Sequence, residues 1–123
     1  MSETSSRADA PVLWVDTEFA GAAVVVHVRG EIDMVSKDRL DERLRAAEAV
    51  AVPPAPVVLD LTGVRFLASM GLALLVTHHE LCADRGTPLR VVATGHQVLR
   101  PIQITGLDQL LAITRSVAEA VGS

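Results

Sequence analysis

Ser69 lies where one apolar run gives way to a glycine and a second apolar run, in the segment LDLTGVRFLASMGLALL (59–75). A strand that ends there and a helix that begins there put the serine hydroxyl at a helix N-terminus. Two kinds of chemistry suit that place. The hydroxyl can cap the helix by accepting a backbone N–H. It can also carry a phosphate, because the unpaired N–H groups and the dipole of a helix N-terminus favour negative charge. A phosphate would add roughly −1.5 to −2 charges at one surface point, enough to repel a partner fitted to a neutral hydroxyl. Position alone favours the cap.

A second group of residues, Gly30-Glu31-Ile32-Asp33, sits between a strand and a helix. Asp33 can serve simply as a turn residue. If the two loops share one rim, Glu31 and Asp33 also bring two carboxylates beside Ser69. On the second helix, His78 and Cys82 stand four apart, a spacing that could in principle serve a metal. The adjacent His78 and His79 point to different helix faces and cannot both ligate one ion. The plainer expectation is that both histidines serve the core. The remaining histidines, His27 and His96, fall mid-strand and in a loop, and no Ser-His-Asp arrangement emerges. There is no Gly-rich phosphate loop and no His-Glu-x-x-His. Nothing here points to catalysis, a metal or a cofactor.

The elements that must position these residues are legible from periodicity. PVLWVDTEF (11–19) alternates partly and predicts a strand. Gly21 is placed for a hairpin turn. AAVVVHVR (22–29) is rich in β-branched residues and predicts a second strand, with Gly30 as its stop. Ser36 is placed to cap a helix whose Leu40, Leu44, Ala47 and Ala51 form an apolar stripe. The prolines of PPAP (53–56) end it. VVLDL (57–61) predicts a buried strand, with a turn at 62–64 and a continuation at 65–67. A second helix is expected over 71–85, stopped by Gly86. A strand over 88–93, a short helix over 97–104 interrupted or bent near Pro101, a strand over 110–114 and a last helix over 115–121 complete the order. Strands alternating with helices imply right-handed crossovers and an α/β domain with a mixed, mostly parallel sheet, an N-terminal β-hairpin and about four helices.

The chain has 123 residues, of which 50% are hydrophobic and 21% charged. That is one domain's length with enough apolar residues for a single core, and it excludes disorder. Residues 1–10 read as a flexible tail without a signal-peptide core, and no run approaches the ~20 apolar residues of a membrane helix. A cytoplasmic protein that does not insert into membranes is therefore expected. The net charge of −4 and the absence of a basic cluster argue against direct nucleic-acid binding, and the three aromatic residues leave no base-stacking platform. A single cysteine, Cys82, excludes an internal disulfide.

Taken together, three segments resemble the STAS (sulphate transporter and anti-sigma factor antagonist) domain family: VVVHVRGEIDMVSKDRL (24–40), VVLDLTGVRFLASMGLALL (57–75) and ITGLDQLLAITRSVAEAV (104–121). Each motif is weak alone, but their order and spacing are specific, and the resemblance spans roughly residues 11–121. It implies a single STAS-like domain acting as a bacterial anti-sigma factor antagonist without catalysis or cofactor of its own. Its partner would be an anti-sigma factor with serine kinase activity, which supplies the ATP and releases a sigma factor when the antagonist binds. Ser69 matches the serine that such kinases phosphorylate to end binding. Glu31, Asp33, Ser36, Ala68, Met70 and Gly71 are the implied partner-contacting residues. Ala68 replaces the family's preceding aspartate and Met70 its following serine or threonine. Losing that carboxylate bears on kinase recognition and phosphoryl transfer. An alternative is a STAS subunit of a signalling scaffold or lipid transport complex, with Ser69 only a cap. Self-association as a weak homodimer stays open.

Overall fold

The computed structural model describes residues 12–122. The expected tail at 1–10 and the strand residue Pro11 lie outside the described residues. Five strands form one sheet in the order β1-β2-β3-β4-β5: Leu13–Ala20, Ala23–Ile32, Val57–Leu67, Leu89–Val92 and Ala112–Thr114. The first two pair antiparallel as a hairpin and all later pairs are parallel. Four helices join them: α1 (Lys37–Val50), α2 (Ser69–Arg85), α3 (His96–Ile104) and α4 (Val117–Gly122). The expected α/β architecture is thus the observed one.

Alternation decides which face each strand buries. Val24, Val26 and Val28 of β2 and Val57, Leu59, Leu61 and Val64 of β3 point to one face, where they pack with Leu40 and Leu44 of α1, Leu72 and Leu75 of α2 and Val98 and Ile102 of α3. Val25, Val58 and Val92 point to the opposite face, where Ala120, Val117 and Val121 of α4 and Ala20 of β1 pack on them. Among the described residues no other helix packs on that face, and β1 presents Trp14, Asp16 and Glu18 there as exposed residues.

Several boundaries differ from the sequence reading. Gly30 does not stop β2; it adopts a φ of 109° at a register shift, and the strand continues to Ile32. A side chain at Gly30 would run into the Val12 carbonyl, so the bulge needs glycine. The turn expected at 62–64 is part of an unbroken β3, because the parallel partner β2 supplies ladder bonds through the same irregular register. The last strand begins at Ala112 rather than 110, since Leu107–Gln109 form a 3₁₀ turn. α3 runs through Pro101 without interruption. Gly86 closes α2 in the left-handed region, as expected.

Candidate functional site

The site is built at the C-terminal ends of the parallel strands β2 and β3, the usual rim for binding in open α/β sheets. The Ala68 N–H donates to the Ile32 carbonyl (2.9 Å), which ties the loop after β3 to the loop after β2. Gly71 lets the first turn of α2 approach this junction. A methyl group there would lie 2.6 Å from Leu67 Cδ1 and 2.7 Å from Ile32 Cγ2, closer than real contacts allow. The two segments singled out from the sequence therefore share one rim.

Ser69 is exposed and is the first residue of α2. The cap position belongs to Ala68, whose methyl can accept no hydrogen bond, and no side-chain cap is formed. The expectation that Ser69 caps its helix is thus corrected. Its hydroxyl has no hydrogen-bond partner among the described residues and faces solvent.

The loop before α1 is organised by Asp33 rather than by Ser36. Asp33 Oδ1 accepts from the Val35 N–H (3.0 Å) and the Ser36 N–H (3.1 Å). Ser36 precedes the helix but forms no side-chain cap. Its hydroxyl donates back to the Glu31 carbonyl (2.7 Å) and accepts from the Asp33 N–H (3.1 Å). The cap expected from Ser36 is therefore not formed; Asp33 instead closes the turn before α1 through the Val35 and Ser36 N–H groups. Ser36 is 3% exposed and Gly71 is also buried, so neither can touch a partner directly; both shape the rim from beneath. Glu31 lies on β2 opposite Phe66 and forms an ion pair with Arg65 at 3.7 Å. Met70 is half-buried.

Three residues that the sequence reading left out complete the rim. Met34 is 68% exposed, Val35 82% and Phe66 52%. Met34 and Val35 follow β2 and Phe66 lies near the end of β3, so these exposed apolar side chains belong to the two segments that the Ala68–Ile32 bond ties together. The available signal was the pair Met34-Val35 inside a turn that otherwise favours polar residues.

Two histidines organise the scaffold behind the rim. His78 of α2 is fully buried and binds two carboxylates of α1, Glu48 through Nδ1 and Asp41 through Nε2 (2.7 Å). Burial alone would lower its pKa, but the hydrogen bonds and charges of Glu48 and Asp41 outweigh it and raise the value. Asp41 is held below the usual carboxylate range: the desolvation that would raise it is outweighed by Arg45 and His78. The expectation of a plain core histidine is thereby refined, because His78 joins two helices through charge. Burial pushes the Cys82 thiol up to about 12, with Glu48 adding to the effect. His79 is half-buried, and its Nδ1 is buried without a partner. On the open sheet face, His27 bridges Glu18 and Asp60, the latter at 2.7 Å, and its pKa is raised because these partners outweigh desolvation. No group of three or more His, Cys, Asp or Glu among the described residues is placed to hold a metal ion. No helix there is long and apolar enough to cross a membrane.

A five-stranded mixed sheet with a hairpin edge, and a serine opening the helix after its central strand, define an α/β regulatory domain of the STAS type. The STAS domain family matches residues 15–120, and the chain belongs to that family. Among similar proteins of Mycobacterium tuberculosis are the anti-sigma-F factor antagonist RsfB, 34% identical over 79% of this chain and 77% of its own length, and the protein named "Putative anti-anti-sigma factor Rv2638", 32% identical over 86% and 72%. The crystal structure of an anti-sigma factor antagonist from Mycobacterium paratuberculosis superposes with a TM-score of 0.81 at 35% identity, covering 89% of this chain and 92% of the other. Unphosphorylated SpoIIAA shares the fold, with a TM-score of 0.72 at 17% identity over 88% and 93%.

Proposed function

We propose that this chain is an anti-sigma factor antagonist of the cytoplasm, and that it docks an anti-sigma factor through the rim formed by Ser69, Met70, Met34, Val35 and Phe66. The observation that carries the reading is Ser69: exposed, its hydroxyl unpaired among the described residues, and carried on a rim whose loops also expose Met34, Val35 and Phe66. An interface of this kind draws its affinity from the apolar residues and is vulnerable to a charge at its centre. The anti-sigma factor is also the kinase. It transfers the terminal phosphoryl group of its ATP to Ser69 Oγ, the hydroxyl proton leaves, and ADP is the other product. In this reading the chain is the substrate of the transfer and not its catalyst.

The resulting dianion sits at the N-terminus of α2, where backbone N–H groups favour it. The domain therefore keeps its fold while the partner surface is repelled. Ala68 supplies no carboxylate beside the hydroxyl. Its backbone N–H is committed to Ile32, so the residue fixes the loop and leaves activation of the hydroxyl to the kinase.

The test uses tagged protein purified from its native host, with bound proteins identified and the Ser69 peptide weighed in the same sample. Native protein and Ser69→Ala are expected to retain an anti-sigma factor with a kinase fold. Ser69→Asp is expected to lose it by roughly tenfold or more, the effect of one unpaired interfacial charge. A complex of fixed stoichiometry with other subunits, insensitive to Ser69→Asp, would instead make the chain an assembly component.

A further inference from the structure

The sheet carries a cleft that borders the proposed partner rim at Arg65 and is distinct from Ser69. It has a volume of about 320 Å³ and is lined by Trp14 of β1, Arg29 and Gly30 of β2, and Gly63 and Arg65 of β3. From this arrangement we infer that the Trp14–Arg29–Arg65 cleft binds a small ligand carrying an oxyanion, a phosphomonoester or a carboxylate, on a compact apolar or aromatic body.

Three observations support it. First, the two arginines bring like charge to one cleft in a chain whose net charge is −4. Arg29 has no ion pair or hydrogen bond among the described residues. Arg65 meets only Glu31, at a separation of 3.7 Å that is too long for a hydrogen bond. Planar guanidinium forks with donors left to spare match the geometry of carboxylate and phosphate oxygens. Second, the cleft has a built floor. A side chain at Gly63 would collide with the stem of Arg29, at 2.5 Å from its Cγ, so the glycine is what lets Arg29 lie across the sheet. Arg29 is further held by the indole of Trp14, its Cζ lying 5.6 Å from the ring centroid. Third, Trp14 remains 51% exposed, which leaves apolar surface for the body of a ligand. A cavity of this size with an apolar wall and a few convergent polar groups has the make-up of a small-molecule site.

The chain's single tryptophan is in the cleft and the chain has no tyrosine, so intrinsic emission reports directly on occupancy. The full-length protein is titrated with phenyl phosphate, benzoate and inorganic phosphate at constant ionic strength. A saturable change with phenyl phosphate or benzoate is expected, and the tighter of the two identifies the preferred oxyanion. Inorganic phosphate should bind more weakly; an equal midpoint would overturn the role given to Trp14. Arg65→Ala, at a largely exposed position, should raise the midpoint roughly tenfold, the loss of one charge-assisted hydrogen-bonding partner. Glu31→Gln should lower the midpoint by freeing Arg65. Amide shifts should concentrate at Gly30 and Gly63. A linear response, one reproduced by potassium chloride alone, or a midpoint unchanged in Arg65→Ala would each overturn the site.

Discussion

Helix α2 carries two regions built on opposite rules. At its first turn, Ser69 leaves a hydroxyl without a partner, and Met34, Val35 and Phe66 leave apolar surface in water. Two turns on, at the seam with α1, both ring nitrogens of His78 are bonded to carboxylates and no part of the ring reaches solvent. The rim keeps its interactions open for a partner. The seam closes its own and holds the helices in place. A single rigid element can therefore present a changeable surface at one end because its position is fixed at the other.

The contrast is broken most severely at Glu48. Glu48→Ala removes one of the two carboxylates bonded to the buried His78 ring, and we expect about 3–5 kcal/mol less stability in urea unfolding, with the rim residues still in place in whatever fraction remains folded. Asp41→Asn, at the more exposed end of the same clasp, should cost about 1 kcal/mol or less. At the rim the order reverses between stability and binding. Phe66→Ala should weaken partner binding by about 1–2 kcal/mol, as loss of an exposed aromatic anchor, while its melting temperature stays near that of the parent. The smallest stability effect is expected for Ser69→Asp, within about 0.5 kcal/mol of the parent, although that variant should lose the partner.

Proton linkage sharpens the same comparison. The pKa of His78 is raised in the folded state from an ordinary value of 6.5. Its contribution to stability is therefore complete below that value and is lost as pH rises through the raised folded value. His27 acts with the same sign but is partly exposed and more screened. Unfolding measured at about pH 6 and about pH 9 should show the protein more stable at the lower value, and His78→Gln should flatten most of that slope. A slope unchanged by His78→Gln would remove the seam from its place as the anchor. On the acid side, Asp41 and Asp60 have lowered values; their contributions are present above about 3.8 and fall away as pH drops through the folded values.

The strands, the order of elements and the Gly86 helix stop were readable because they follow from local periodicity and backbone preference. What the sequence hid depends on partners distant in the chain. Glu48, at an otherwise ordinary helix position, reads as a solvated charge; only His78, thirty residues away, explains its burial. Ser36 has the residue type of a cap, yet it caps nothing because the Glu31 carbonyl captures its hydroxyl, and Asp33 organises the turn instead. The position of Ser69 on the rim was readable. Its freedom from capping was not, since that depended on whether α2 begins at Ser69 or after it.

The order of strands in the sheet is the order of strands in the chain. Each strand adds to the free edge left by the one before it, and none has to be inserted between two already paired. The hairpin of β1 and β2 can form first, β3 can dock on it once α1 is made, and β4 and β5 can follow in turn. Assembly can thus keep pace with synthesis, from the N-terminus onward. In that order the serine helix would join a platform of three strands already formed, and Ser69 would meet a rim whose other half, at Ile32 and Asp33, is in position.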